Sequence, residues 1–384
     1  MIRLLLIRCS NVFLGFAFLA LGPVPGLAQT SPSHSDSISG IRLNIALSVS
    51  PESEGCDLCT VSWEMGLQVA QDGKDRLFLL DPKTGKCRVY SSKGELLETF
   101  RVNDWKPLRV SPFHSAFTLN SSGDEFVVGS GNTVSLFSSK KVEFTSTLPI
   151  FITSLAFTGD IIVAKFPVII KPEKGQLSIT RNPYLLEWLE SDGSRGAEAL
   201  PADSASGPDP MSIAMTQGVE VAADSDGALW VMDQTRLYRV RRLSPSGRVM
   251  ATWVSDRLNS AVGFSGDTPE EVTKDMTEAG TESFRPVHAR RIVLDSVARD
   301  GYLWVLVNGG SESQMVDVFE GDLKGPVARF TLPKETWQYW QIAIGSDSIW
   351  VFPMNEQGAP LRLERPQDWE IREKEYSKEP DTTP

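Results

Sequence analysis

GLQVAQDGKDRLFLLDPKTGKCRVYSSKGELLETFRV, residues 66–102, decides the fold of this chain. It reads as four short strands: Leu67–Ala70, Arg76–Asp81, Cys87–Ser91 and Leu96–Val102. Between them stand Asp72-Gly73, Lys83-Thr84-Gly85 and Lys93-Gly94, short runs that reverse the chain cheaply. Apolar and polar residues alternate with period two, the pattern of half-buried sheet. A second copy, QGVEVAADSDGALWVMDQTRLYRVRRLSPSGRVMATWV, spans 217–254, and its Ser244-Pro245-Ser246-Gly247 stands where Ser92-Lys93-Gly94 stood in the first.

Weaker copies fill the rest of the chain. They are FTLNSSGDEFVVGSGNTVSLFSSKKVEFTSTL at 117–148, a unit opening LAFTGDIIVAKF at 155, IVLDSVARDGYLWVLV at 292–307 and WQIAIGSDSIWVFP at 340–353. Their second strands are anchored by Leu77, Phe126, Ile161, Leu229, Leu303 and Ile349, at spacings of 49, 35, 68, 74 and 46 residues. Four strands every ~40–50 residues is the signature of a propeller blade. The fold expected is all-β, a six-bladed β-propeller over 40–366, although spacings this loose also admit five or seven blades.

The last unit shows only a third strand, around Leu361-Arg362-Leu363, before the charged tail at 367–384. A candidate for its missing fourth strand lies at the other end of the chain, Ile41–Val49, which alternates over most of its length. Pairing it into the last blade would close the ring and hide an open edge.

The pattern Asp226-Gly227-Ala228-Leu229-Trp230-Val231-Met232-Asp233 in the second strand resembles six-bladed propellers of the NHL/TolB-like type. The resemblance covers roughly 41–366 and implies an architecture, not an activity.

Composition narrows the function classes. The 384 residues carry 38 Lys plus Arg against 49 Asp plus Glu, a formal charge of -11, and only 3 His. So acidic a chain suits neither the phosphate backbone nor a multi-histidine centre, and nucleic acid is not expected as a partner. Residues 1–28 read as an export signal: Arg3 and Arg8, an apolar run over 11–21, Pro23 and Pro25, then Gly26-Leu27-Ala28 for cleavage. The alternative is an uncleaved anchor, but the run is shorter than the ~20 residues a span needs. No later segment is long enough to cross a membrane, so the chain is expected in the periplasm or outside the cell, with 29–39 a disordered leader. Cys56, Cys59 and Cys87 then meet an oxidising compartment. One disulfide with one cysteine left over is expected, its pairing open.

The long connections, 168–182, 200–216 and 255–287, fall on one face. The expected role is therefore a non-catalytic binding module, taking a protein, peptide or small ligand on that loop-rich face. The rival class is a hydrolase or lyase with calcium or zinc at the propeller axis. Axial candidates are His114, His288, Arg290, Arg291 and Trp340, with Trp337 beside the last of them. Similar enzymes bind zinc through axial histidines, but the third histidine here, His34, stands in the leader. Lactonase-like propellers use calcium on oxygen ligands, which points to Asn120, Asp124, Asp224, Asp226, Asp295 and Asp300. All six are placed in turns between first and second strands, where Asp and Asn are ordinary turn formers. No resident cofactor is expected, with calcium the alternative. Neither a G-x-S-x-G elbow nor a phosphate loop is present.

Overall fold

A computed structural model describes residues 43–46, 56–63, 67–102, 115–138, 140–166, 168–173, 176–202, 218–224, 226–234, 238–255, 291–308, 314–333, 339–353 and 358–366. The segment β1 (Leu43–Ala46) precedes the repeats. Blade one is β2 (Gln68–Gln71), β3 (Leu77–Asp81), β4 (Lys86–Tyr90) and β5 (Leu96–Arg101). Blade two is β6 (Ser115–Leu119), β7 (Glu125–Ser130), β8 (Thr133–Ser138) and β9 (Lys141–Thr147). Blade three opens with β10 (Ile152–Phe157) and β11 (Ile161–Lys165). A separate hairpin, β12 (Val168–Glu173) with β13 (Gln176–Arg181), interrupts it before β14 (Tyr184–Leu189) and β15 (Arg195–Pro201) complete it.

Blade four is β16 (Val219–Ala223), β17 (Leu229–Asp233), β18 (Tyr238–Leu243) and β19 (Val249–Ser255). Blade five is β20 (Val293–Arg299), β21 (Tyr302–Val307), β22 (Met315–Phe319) and β23 (Pro326–Thr331). Blade six is β24 (Tyr339–Ile344), β25 (Ser348–Pro353) and β26 (Leu361–Glu364). Every blade is an antiparallel meander. The six first strands neighbour one another in the cyclic order β2, β6, β10, β16, β20, β24 and back to β2, which makes the ring. The chain is a six-bladed β-propeller.

The core lies between blades, because a blade is apolar on both faces and each face must be covered by the next sheet. All six second-strand anchors are buried, at 3% exposure or less. Trp230, Trp304 and Trp350 are fully buried in this layer, and Trp304 stacks on Phe330 with ring centroids 5.7 Å apart. The midpoint of the third strand is polar in five blades: Arg88, Ser135, Glu187, Arg241 and Asp317 oppose Leu79, Val128, Val163, Val231 and Val305. The four buried ones find partners: Ser135 on Thr145, Glu187 on Lys165 and Arg195, Arg241 on Asp233, Asp317 on Arg329. Buried polar groups persist only with such partners.

The N-terminal strand corrects the expected closure. β1 runs parallel to β23, from Leu43 opposite Ala328 to Ala46 opposite Thr331, so it adds a fifth strand to blade five and not a fourth to blade six. The physical reason is visible in β23: Pro326 to Phe330 are all buried, whereas outer strands β5 and β9 are largely exposed. A strand buried on both faces needs its edge paired as well. Among the described residues blade six has three strands.

Residues 56–63 help to seal the seam between blades six and one. Leu58 N–H donates to Gly94 O at 2.9 Å, and Leu96 N–H donates to Asp57 Oδ2 at 2.8 Å. Trp63 stacks on Phe352 at 5.3 Å, and Trp350 Nε1–H donates to Ser92 O at 3.1 Å. The Cys56–Cys59 disulfide closes this short segment on itself, and among the described residues Cys87 is the free cysteine, and it is buried. Gly94 is held at φ +86°, and a Cβ there would lie 2.8 Å from Cys56 Sγ, so glycine is required twice over. Among the described residues no helix is long and apolar enough to cross a membrane.

Candidate functional site

Counting inward from the turn that joins first and second strands brings one residue of each blade to the same height around the axis. Opposite Leu80, Gly129, Ala164, Met232, Leu306 and Phe352 stand Gln68, Ala116, Ser154, Glu220, Asp295 and Gln341. Five of the six are polar, on first strands that otherwise favour Val, Ile, Leu and Ala. This polar ring lines a cavity of about 230 Å³ on the propeller axis.

Three of these strands slip register right beside the ring. The shifts fall between Ile152 and Ser154, between Val293 and Asp295, and between Tyr339 and Gln341. The extra residues, Thr153, Leu294 and Trp340, all line the cavity. Bulges of this kind re-aim side chains and gather near functional sites.

The ring is knit from blade to blade. Ser154 Oγ–H donates to Glu220 Oε1 at 2.5 Å, and Gln234 Nε2–H donates to Glu220 Oε2 at 2.9 Å. Asp295 Oδ2 accepts from Ile342 N–H in the next blade at 2.8 Å, and its Oδ1 accepts from Ser296 N–H at 2.8 Å. Gln341 spans the closing seam: its Oε1 accepts from Val69 N–H at 2.7 Å, and its Nε2–H donates to Leu67 O at 2.9 Å. Arg291 enters from the start of blade five with its guanidinium 5.3 Å from the Trp340 ring centroid. On the side of blades two and three, Phe117, Leu119, Leu155 and Phe157 border the cavity while packing into the clusters between blades.

Burial sets the electrostatics. It pushes the Glu220 carboxyl above its usual range, against the opposing pull of Ser154, Gln234 and Arg291. Asp295 is pushed up well above the ordinary aspartate value, first by burial and then by the Glu220 charge. Burial likewise lowers Arg291, and Glu220 opposes that fall. Two carboxyls thus share one enclosed space with one guanidinium. Gln71 and Ser296, which also border the cavity, bury Gln71 Nε2, Gln71 Oε1 and Ser296 Oγ without a hydrogen-bond partner.

Of the residues singled out in the sequence, Arg291, Asp295 and Trp340 line this cavity. His114, His288, Arg290 and Trp337 lie outside the described residues, as do the long connections over 203–217 and 256–290, the leader and the tail. Asp295 is not in a turn; it sits mid-strand in β20, and the turn there is built by Asp300 and Gly301. Asn120 and Asp226 cap their own turns, Asn120 Oδ1 accepting from Gly123 N–H and Asp226 Oδ1 from Ala228 N–H. Among the described residues no group of three or more His, Cys, Asp or Glu is placed to hold a metal. Sequence reading passed over Glu220, Ser154, Gln68, Gln71 and Gln341. The signal was available as an acid inside an apolar first strand, Val219-Glu220-Val221.

Fold and site together define a six-bladed propeller with a polar ring at its axis. No protein-family model matches the chain. No curated protein matches it either. Solved structures similar to it include a streptogramin B lyase, at 12% identity over 79% of this chain and 95% of that one, with a TM-score of 0.43. Another is a catalytically inactive virginiamycin B lyase from Staphylococcus aureus with quinupristin, at 10% identity over 78% and 80%, TM-score 0.42. A selenomethionine form of virginiamycin B lyase from the same organism gives 13% identity over 80% and 97%, TM-score 0.43. The blade count here rests on the sheet pairings above, not on these likenesses.

Proposed function

We propose that this chain is an exported, non-catalytic binding module that captures a small ligand, or the end group of a larger partner, in its axial cavity. The observation that carries this reading is the ring of five polar side chains, Gln68, Ser154, Glu220, Asp295 and Gln341, set at one height around the axial cavity. Convergent polar groups lining a concave site are what fixes a ligand's orientation. The acids support the same reading, since Glu220 and Asp295 are both fixed by hydrogen bonds to neighbouring residues and blades, which pre-organises them for recognition. A cavity of about 230 Å³ suits a compact group, below the ~300–1,000 Å³ of drug-sized pockets. The Cys56–Cys59 disulfide accords with an oxidising compartment, and the leader at 1–28 with export.

One observation favours the rival class. A carboxyl pushed well above the ordinary aspartate range by burial and by a second carboxyl beside it is the arrangement of a general acid, as a hydrolase or lyase would use. Incubation with a small-molecule library, followed by mass spectrometry of both bound and free pools, separates the two. Recovery of a retained ligand unchanged supports the binding module. Conversion of any retained compound, lost on chelation or in Asp295→Asn, overturns it in favour of the enzyme.

A further inference from the structure

The axial cavity makes no use of the Cys56–Cys59 pair. That bond encloses only Asp57 and Leu58, and both cysteines are partly exposed beside the seam between blades six and one. A loop this short restrains the unfolded chain little, so by linkage the fold defends the bond little against reduction. Cys87 is buried in blade one and presents no competing thiol.

The turn that carries the pair is held by bonds other than the one between the sulfurs. Leu58 N–H donates to Gly94 O at 2.9 Å, and Asp57 Oδ2 accepts from Leu96 N–H at 2.8 Å. Asp57 O accepts from Thr60 N–H at 3.2 Å and from Thr60 Oγ1–H at 2.8 Å, and Val61 N–H donates to Leu58 O at 3.2 Å. Leu58 itself is buried in a cluster with Trp63 and Trp350. Once reduced, the two thiols therefore stay on one fixed turn, placed to reclose.

The two sulfurs are not equivalent. Cys56 Sγ accepts from Cys59 N–H at 3.2 Å. The acceptor is neutral while the disulfide stands and becomes a thiolate if the bond breaks toward Cys56, and a hydrogen bond to an ionised acceptor is about twice as strong. The same N–H thus favours the broken state and places its charge on Cys56. Cys56 Sγ also packs on Gly94, where a Cβ would come within 2.8 Å of it. Cys56 is fitted to leave, and Cys59 to be attacked.

We infer that Cys56–Cys59 is a thiol–disulfide exchange centre for a soluble thiol, with Cys59 the sulfur attacked and Cys56 the leaving thiolate. An incoming thiolate bonds to Cys59 Sγ as the Cys56–Cys59 bond breaks, and the electron pair of that bond goes to Cys56 Sγ. A second thiolate attacks the outer sulfur of the mixed disulfide, which releases the oxidised thiol and leaves the Cys59 thiolate. Two thiols lose two electrons and the protein disulfide gains them. The reverse sequence oxidises a dithiol.

The test equilibrates the purified chain with glutathione buffers of graded ratio near pH 7, without denaturant. Acid quenching, alkylation and peptide mass spectrometry locate each thiol, and circular dichroism follows the fold. The expected result is reversible reduction of Cys56–Cys59 across the glutathione series in a chain that stays folded, with Cys87 unlabelled. Early quenching of the oxidised chain with reduced glutathione should find the first adduct on Cys59 over Cys56 by about ten-fold, the factor that a hydrogen bond gaining ~1.4 kcal/mol on ionisation gives. A bond that survives every ratio, or that is reduced only as the fold is lost or after urea is added, is a structural staple and overturns the exchange centre. A first adduct on Cys56, or equal adducts on both, overturns the assigned roles.

Discussion

Removing the Asp317 carboxylate should be the most damaging single change at the blade four–blade five interface. Asp317 has no exposed surface, and its two oxygens accept three hydrogen bonds. Arg329 donates from Nε at 2.6 Å and from Nη2 at 2.7 Å, a bidentate pair within blade five. Tyr238 of blade four donates its hydroxyl at 2.8 Å, from 79 positions away in the chain. Burial first, then the adjacent Asp317 carboxylate, pushes the Tyr238 hydroxyl well above its usual range, so it remains a donor throughout the working pH range. Asp317→Ala takes the counter-charge from a guanidinium that is itself only 9% exposed.

Breaking one side of a buried ion pair costs ~3–5 kcal/mol, because the remaining charge stays desolvated. In a propeller of this length each kcal/mol moves Tm by about 2 °C, so the melt should fall by roughly 6–10 °C. Tyr238→Phe removes one neutral donor and leaves no charge behind, so it should cost only ~1 kcal/mol. The double replacement Asp317→Leu with Arg329→Met should be milder than Asp317→Ala alone, since it strands no charge. The assay is thermal and urea unfolding of all four proteins. A loss below about 2 °C for Asp317→Ala, or a double variant worse than the single, would refute the charge-stranding argument.

Three more outcomes are expected. Reduction of Cys56–Cys59, or Cys59→Ser, should lower stability by ~2 kcal/mol for so short a loop, measured by melting with and without dithiothreitol. Burial pushes the Cys87 thiol to about 12, so it should resist a thiol reagent at pH 8 in the folded chain and react once urea unfolds it. Glu220 and Asp295 are raised on folding, so the folded chain holds protons that the unfolded chain has released. Their contribution is fullest below the ordinary carboxyl range and is lost as pH rises through the folded values. Urea unfolding of wild type against Asp295→Asn should show the variant gaining relative stability from pH 4 to pH 8, and a parallel pair of curves would contradict this.

Much of the fold was legible because a propeller writes the same local physics six times. Asp-Gly turns and period-two strands marked all four strands of blade one to within a residue of their observed ends. All six anchors, from Leu77 to Ile349, fell on second strands. The closure was not legible in the same way. Alternation in Ile41–Val49 announces a strand but not its partner, since an amphipathic strand fits any open edge. What selects blade five is the burial of β23 on both faces, a property of the folded neighbours that β1 itself does not encode.

The axial ring was hidden for a related reason. In an ordinary half-buried sheet, Val219-Glu220-Val221 places the glutamate on the solvent side, and alternation reads it as surface. A propeller's first strand has no such side, because what lies beside it is the channel shared by six blades. The same misreading placed Asp295 in a turn, five residues before the turn that Asp300 and Gly301 form. Gln68, Ser154 and Gln341 carry no charge and drew no notice singly. Only the register, which sets all six residues opposite equivalent points of the second strands, makes them one site. Within a propeller, therefore, a polar residue in a first strand is evidence of an axial function to the extent that its equivalents in other blades are polar too. By that measure Glu220 and Asp295 carry the strongest functional signal among the described residues, ahead of the acids that cap turns.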